Sequence, residues 1–374
     1  MRGAISGSLA TAVRLIAASR SVITTLRGSS VSLILCGKGS RVTKILVTGG
    51  AGFAGHHLVE ALLKKTDWDI TLIDRLDSSG NLNRLAEVGA AKNPRVRFVY
   101  HDLRAPMNAQ LTGQVGPHDY IVHMAAATHV DRSIDNPMEF VLDNVVATTN
   151  MLDFARATGC EKFINFSTDE VFGPAPAGMK YKEDDRYNAG NPYAATKAGA
   201  VQMGTAYHNT YKVPVITTHT MNIFGERQHP EKYIPMTIAK VLKGDVVYVH
   251  ANKTKTQAGS RFYIHARNVA DGVLHLLAKG AAGEKYNLVG EREVNNFELA
   301  QFIASALDKP LRHEMVDFHS SRPGHDLRYA LDGSKMAGLG WKPPVSFEAS
   351  LGKVIQWTVK HPLWLVEHHI KSVA

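Results

Sequence analysis

The chain has 374 residues, 44% hydrophobic and 21% charged, the balance of a globular protein that can bury a sizeable core, which excludes wholesale disorder. Its formal net charge of +9 is no nucleic-acid footprint: Arg2, Arg14, Arg20, Arg27, Lys38 and Arg41 all precede Glu60, the first acidic residue, so the rest carries about +3, with no Lys/Arg-rich run and no zinc-finger pattern. The two cysteines, Cys36 and Cys160, make no internal disulfide framework and suit a reducing compartment.

Residues 1–41 are rich in Ser, Ala, Gly and Arg and contain no Asp or Glu. Arg14 and Arg20 interrupt any secretory signal, and Val22–Leu35 is too short for a membrane span and is broken by Arg27. Two readings stay open: a disordered upstream extension, or an organellar transit peptide. The body is therefore expected in the cytoplasm, with organellar import if the leader is a transit peptide. No membrane association is expected.

From Lys44 the pattern alternates. Lys44–Thr48 reads as a buried strand and runs into glycines, and Phe53–Lys65 has helical spacing. Asp69–Asp74, Arg97–Tyr100 and Tyr120–Met124 read as further strands. Glu139–Thr158 reads as a helix, Lys162–Ser167 as a fifth strand, Tyr193–Tyr211 as a long Ala-rich helix and Val215–Thr220 as a sixth strand. This order predicts an α/β fold with a Rossmann-type, doubly wound parallel sheet. Beyond Met221 the elements shorten: strands at Val246–Val249 and Ser260–Ile264, helices near Ala270–Ala278 and Phe297–Leu307. They predict a smaller α/β substrate-binding lobe on the C-terminal side. The expected division is a leader (1–41), a dinucleotide-binding domain (42–220) and a mainly substrate-binding lobe (221–374), partly interleaved with it.

Between the first strand and first helix, Gly49, Gly52 and Gly55 form a GxxGxxG turn, with Phe53 and Ala54 opening the helix. Glycines allow the sharp turn and let backbone N–H groups approach a diphosphate at the helix N-terminus. Asp74 ends the second strand, where a carboxylate accepts both ribose hydroxyls and repels a 2′-phosphate. Arg75 argues for NADP, but the strand-end carboxylate is the stronger signal and NAD is the expected cofactor. Asp102, Leu103, Ala125 and Ala126 follow the third and fourth strands, at the sheet end where ligands of such folds bind.

Tyr193 and Lys197 stand four residues apart, one turn on one helix face. An adjacent ammonium and a nicotinamide cation both favour the phenolate, so such a Tyr can take a hydroxyl proton while hydride leaves the same carbon. Ser167-Thr168-Asp169-Glu170 closes the fifth strand, facing the cofactor. The bland reading of an Asp-Glu pair there is a solvated helix cap.

With these stretches in register the chain resembles the extended short-chain dehydrogenase/reductase (NAD-dependent epimerase/dehydratase) family and is most similar to dTDP-glucose 4,6-dehydratases. The resemblance runs from Lys44 to His361, on ILVTGGAGFAG, HMAAATHVDRSIDNP, NFSTDEVFG, NPYAATKA, HPEKYIP and RPGHDLRYALD. It implies oxidation at C4 of a nucleoside-diphosphate hexose, loss of water across C5 and C6, and hydride return to C6. It assigns Tyr193 to starting the oxidation, Thr168 to the 4-hydroxyl, Asp169 as acid and Glu170 as base. Two carboxyls in unlike environments suit that division. It also implies sugar or nucleotide contacts at Thr128, Asn222, Glu231, Lys232 and Asn287, and diphosphate contacts at Arg261 and Arg322, since a guanidinium fork suits phosphate. The helices Glu139–Thr158 and Tyr193–Tyr211 would form a homodimer interface. The alternatives are another NAD-dependent sugar-nucleotide conversion, 4-epimerisation or decarboxylation, and a non-catalytic NAD-binding protein. Adjacent Asp169 and Glu170 favour dehydration.

The chain departs from the family at Phe172, where a Tyr is usual, and in residues 221–228 and 259–265, which leaves the base open between thymidine and uridine. No HExxH occurs among the 18 histidines; His56-His57 and His368-His369 read as solvated pairs, and no metal is expected. His325 reads as structural or substrate-side. No GxSxG elbow marks a hydrolase, and Cys160 reads as packing.

Overall fold

Short apolar runs bounded by glycine or acidic turns become parallel strands in the computed structural model, which describes residues 41–77, 79–317 and 327–366. The strands are β1 (Lys44–Thr48), β2 (Asp69–Asp74), β3 (Val96–Tyr100), β4 (Tyr120–His123), β5 (Lys162–Thr168) and β6 (Val215–Thr220). Among the described residues six strands lie outside the sheet: β7 (Ile223–Phe224), β8 (Val247–Ala251), β9 (Ser260–Arg261) and β10 (Ile264–His265) before the last sheet strand, and β12 (Val294–Asn295) and β13 (His313–Asp317) after it. That last strand, β11 (Lys285–Leu288), returns to pair with β6. The spatial order is β11-β6-β5-β4-β1-β2-β3, all parallel, as expected of a doubly wound sheet. The chain winds outward from β1 in both directions, so the switch point lies between β1 and β4, directly above the glycine turn.

Helices cover both faces, which is why the central strands read as unbroken apolar runs. On one face Ile45, Val47, Ile70 and Leu72 pack with Leu58 and Leu62 of α1 (Phe53–Lys65). On the other, Leu46, Ile73 and Ile121 pack with residues from a later helix that includes Met151 and Leu152. Between them the chain forms α2 (Leu82–Glu87), α3 (Ala109–Val115) and α4 (Val130–Asp135).

The helix expected over Glu139–Thr158 is not uniform. It comprises α5 (Pro137–Phe140), a π-helical turn over Val141–Val146 and α6 (Ala147–Thr158). The following α7 (Pro192–Tyr211) begins with Pro192 in its first turn, and Asn191 Oδ1 caps it by accepting from the Ala194 N–H at 2.8 Å. Later, α8 (Tyr233–Lys243), α9 (Ala266–Lys279), α10 (Asn296–Ala306), α11 (Ser334–Gly338) and α12 (Phe347–Lys360) complete the described chain. Ile234, Ile238, Leu299, Ile303, Phe347 and Leu351 form a separate small core there. The strand expected over Ser260–Ile264 divides into β9 and β10. Among the described residues no helix is long and apolar enough to cross a membrane. Residues 1–40 of the leader, Arg322, His325 and His368-His369 lie outside the described residues.

Candidate active site

A cavity of about 460 Å³ opens over the C-terminal ends of β1, β2, β4 and β5. The glycine turn forms its floor. Gly49 has φ +69, and a Cβ there would lie 2.8 Å from the Ala125 backbone nitrogen; one at Gly55 would lie 2.1 Å from the Gly49 carbonyl. The missing side chain at Gly49 lets β1 and the loop after β4 meet beneath the cavity, and that at Gly55 lets α1 start close against the turn. α1 begins at Phe53 after Gly52, with no side-chain cap and no acidic residue in its first turn. Its first N–H groups therefore face the cavity as an anion site, an arrangement that fits the diphosphate of a dinucleotide. Gly49, Gly52, Phe53, Ala54, Gly55, Asp102, Leu103, Ala125 and Ala126 all line this cavity.

Asp74 lines it too. Its Oδ2 accepts from the Ala51 N–H at 3.1 Å and its Oδ1 from the Leu76 N–H at 2.9 Å, while burial pushes its carboxyl above the usual range. Arg75 is engaged elsewhere. Its Nη1 and Nη2 grip Asp143 at 2.6 and 2.7 Å, and Asp77 and Asp102 lie at 2.7 and 3.4 Å. The π turn makes this possible. One extra residue per turn lets neighbours Asp143 and Asn144 both face inward, Asp143 to Arg75 and Asn144 to the Ala127 backbone and Thr196.

β5 ends in a 3₁₀ turn, Asp169–Phe172, capped by Thr168. Thr168 donates to Asp169 Oδ1 at 2.9 Å and is hydrogen-bonded to Tyr193. Asp169 Oδ2 is buried with no partner among the described residues, whereas Glu170 is only partly buried and its Oε2 accepts from Asn191 Nδ2 at 3.3 Å. Burial pushes Asp169 up to about 6, and burial plus the charge of Asp169 pushes Glu170 up to about 7. Near neutral pH the pair thus holds a proton that two ordinary carboxylates would have lost.

Tyr193 lies beside them, buried. Its phenol is pushed up, not down: burial and the Glu170 charge oppose the phenolate, and Lys197 does not offset them. Lys197 Nζ donates to the Phe166 carbonyl at 2.6 Å, and burial pulls its ammonium down to about 8. The lowering expected of Tyr193 is therefore absent from the protein's own side chains.

On the far wall stand Thr128, Asn222, Glu231 and Lys232. Glu231 is gathered by His129, His229 and Arg132 at 3.3, 3.5 and 3.6 Å. Two expected substrate contacts are not brought to this wall. Asn287 is fully buried behind it: its Oδ1 meets His219 Nδ1, and its Nδ2 donates to the Tyr181 and Asp332 carbonyls. Arg261 does not line the cavity; its Nη1 donates to the Ser260 and Leu327 carbonyls and its guanidinium stacks 4.4 Å from the Tyr329 ring centroid. Its charge still reaches Asp169 and Glu170.

The sequence model of the GDP-mannose 4,6 dehydratase family matches residues 46–354. The chain belongs to this family. It is 37% identical to the dTDP-glucose 4,6-dehydratase of Actinoplanes sp., over 86% of this chain and 99% of that protein. It is also 37% identical to the low-salt glycan biosynthesis protein Agl12 of Haloferax volcanii, over 84% and 97%. The crystal structure of DesIV, a dTDP-glucose 4,6-dehydratase from Streptomyces venezuelae with NAD and TYD bound, matches with TM-score 0.77 and 36% identity, covering 86% of this chain and 98% of that one.

In this family member several site residues carry no motif of their own. Asn191, which touches Glu170, stands in the NPYAATKA stretch but was given no role from the sequence. Asp143, Asn144 and Arg84 lie in no motif read from the sequence; His129 lies in the HMAAATHVDRSIDNP stretch and Gln228 in the divergent run 221–228, but neither was given a role there. His56 and His57 are not solvated, as their helix position suggested, but buried. His56 Nε2 accepts from Arg227 Nε at 2.9 Å, His57 Nε2 meets the Glu226 carbonyl at 3.2 Å, and His265 Nε2 meets Glu226 Oε2 at 3.1 Å. Burial holds both imidazoles well below their usual pKa, hence neutral. Tertiary packing of α1 against the loop before α8 put them inside. Cys160 is half-buried and beside a core, with burial pushing its thiol up to about 12, which leaves it inert.

Proposed function

We propose that this dehydratase-family chain is an NAD-dependent sugar-nucleotide 4,6-dehydratase acting on dTDP-glucose or a closely related nucleoside-diphosphate hexose. The observation that carries the reading is the pair Asp169 and Glu170, raised in pKa and set against Tyr193 over a turn shaped for a dinucleotide. The N-terminus of α1 would hold the cofactor diphosphate, Asp74 its ribose, and Lys197 the nicotinamide end. Bound NAD supplies the acceptor for hydride from C4 and the hydride later returned to C6. Tyr193, as the phenolate that a cationic nicotinamide ring beside it would favour, takes the 4-hydroxyl proton, with Thr168 orienting that oxygen. The resulting ketone acidifies C5, and Glu170, hydrogen-bonded by Asn191 and open to the cavity, removes the C5 proton. Asp169 protonates the departing C6 hydroxyl. Its lone buried Oδ2 favours the protonated form, which suits an acid.

The exposed apolar side chains Met138 and Leu142, 67% and 38% accessible, support pairing of two copies through α5, the π turn and α7. The decisive experiment incubates the protein with NAD and either dTDP-glucose or UDP-glucose and follows product mass. Loss of one water, giving a 4-keto-6-deoxy sugar, is the expected outcome. A C4 epimer of unchanged mass would sink the dehydratase reading in favour of epimerisation.

A further inference from the structure

Arg84, on α2, is 1% exposed, yet among the described residues no carboxylate forms an ion pair with it. Its guanidinium donates to three backbone carbonyls: Nε to Arg227 at 3.1 Å, Nη1 to Ser79 at 2.6 Å and to Ala51 at 3.3 Å. None of these acceptors carries a charge, and Nη2 has no acceptor among the described residues. Asp74 acts on it only from a distance. The neighbouring Arg227 makes the contrast plain, because Glu87 and Glu60 flank it at 3.4 and 3.8 Å.

A buried cation without a counter-charge is costly, and proteins ordinarily pair it. Burial and the Arg227 charge together pull Arg84 down to about 10. The position is nonetheless built. Arg227 adopts a left-handed backbone, φ 65, uncommon for a residue other than glycine, and its carbonyl accepts from Arg84. Arg84 lines the same cavity as Gly52, Ser79 and Gln228, and it touches the glycine turn itself through Ala51.

We propose that Arg84 is a ligand of the dinucleotide diphosphate, whose negative charge, drawn to the N-terminus of α1, is the counter-charge that the protein leaves out. The proposal rests on the dinucleotide reading of the cavity but not on the dehydratase reaction. The competing role is a brace that only shapes three loops.

Binding of NAD, ADP and adenosine to the full chain, by calorimetry, separates the two. Arg84→Met should weaken NAD and ADP by about tenfold or more, the usual worth of a charge-assisted contact, and leave adenosine unchanged. Arg84→Lys, which keeps the cation without the fork, should recover part of the ADP affinity. Equal losses for ADP and adenosine, or an unchanged ADP affinity, overturn the proposal. If Arg84→Met does not fold, Arg84→Lys decides alone: it must lower ADP affinity severalfold and spare adenosine, and a parallel loss overturns the proposal. A wild-type chain that binds neither NAD nor ADP overturns this proposal and the cofactor reading together. No sugar nucleotide enters the measurement, so failure of the dehydratase reading leaves it standing.

Discussion

Thr168 donates its hydroxyl to Oδ1 of Asp169 at 2.9 Å, and Oδ2 of the same carboxyl is left buried without a partner. One oxygen is thus satisfied as an acceptor and the other is a place for a proton. Glu170, one residue on, has an Asn191 hydrogen bond and an opening to the cavity instead. Two adjacent carboxyls thereby differ in the way an acid and a base must.

Glu170→Gln should still oxidise C4 but should not exchange the C5 proton, lowering turnover by roughly 10²–10⁴-fold. Asp169→Asn should keep C5 exchange in deuterated water while slowing water loss. Product mass and deuterium content measure both. Equal C5 exchange in Glu170→Gln and wild type would remove Glu170 as the base.

The same pair makes a stability prediction. Both folded pKa values, about 6 and about 7, lie above the unfolded ones, so the folded state binds more protons between pH 4 and 7. The stability these groups contribute is complete below the unfolded values and is lost as pH rises through 6 and 7. Replacing Asp169 by Asn should therefore raise Tm at about pH 8 by roughly 2–5 °C and change it little at about pH 4.5. Paired thermal melts at the two pH values test this.

Arg75 offers nothing to a 2′-phosphate while Asp143 holds both its terminal nitrogens. Asp74→Ser alone should weaken NAD about tenfold and gain little NADP affinity. Adding Asp143→Asn should release the guanidinium and improve NADP binding severalfold over the single variant. Titration of both dinucleotides measures the preference, and equal NADP affinities in the single and double variants would contradict the role given to Asp143.

Gly49→Ala combines a positive φ with a Cβ 2.8 Å from the Ala125 nitrogen. Backbone cannot yield as a side chain tip can, so the substitution should cost about 2–4 kcal/mol of stability and most of the NAD affinity. Gly89→Ala shares the positive φ but meets nothing within 4 Å, and should lose only the conformational part. Urea unfolding of the two variants separates clash from strain.

The sheet was legible because its strands are short, apolar on both faces and punctuated by turn residues; β2 and β6 start and stop where the pattern does. Gly49 could be placed because the turn's backbone demands a glycine, and Asp74, Tyr193 and Lys197 because strand-end position and one-turn spacing put them over that turn; all four line one cavity. The π turn was not legible, since a single extra residue leaves the apolar spacing of a helix nearly intact while turning Asp143 and Asn144 inward. Asn287 and Arg261 were named as ligand contacts through the family resemblance, but their partners, His219 and Tyr329, come together only in the fold. His56 and His57 failed for the same reason, as no local pattern says which helix face another loop will cover.

The return of β11 to the side of β6 has a practical consequence. A truncated protein ending near residue 220 would retain every strand but the outermost, and would present β6 to water with a full row of unpaired amide and carbonyl groups. β6 is buried along its whole length, with Val215 and Ile216 at its start and four threonine and histidine side chains after them. Such a naked border is a template for strand addition, and the fragment would be expected to aggregate through it. The four residues of β11 thus cover the border that the first 220 residues would otherwise leave open.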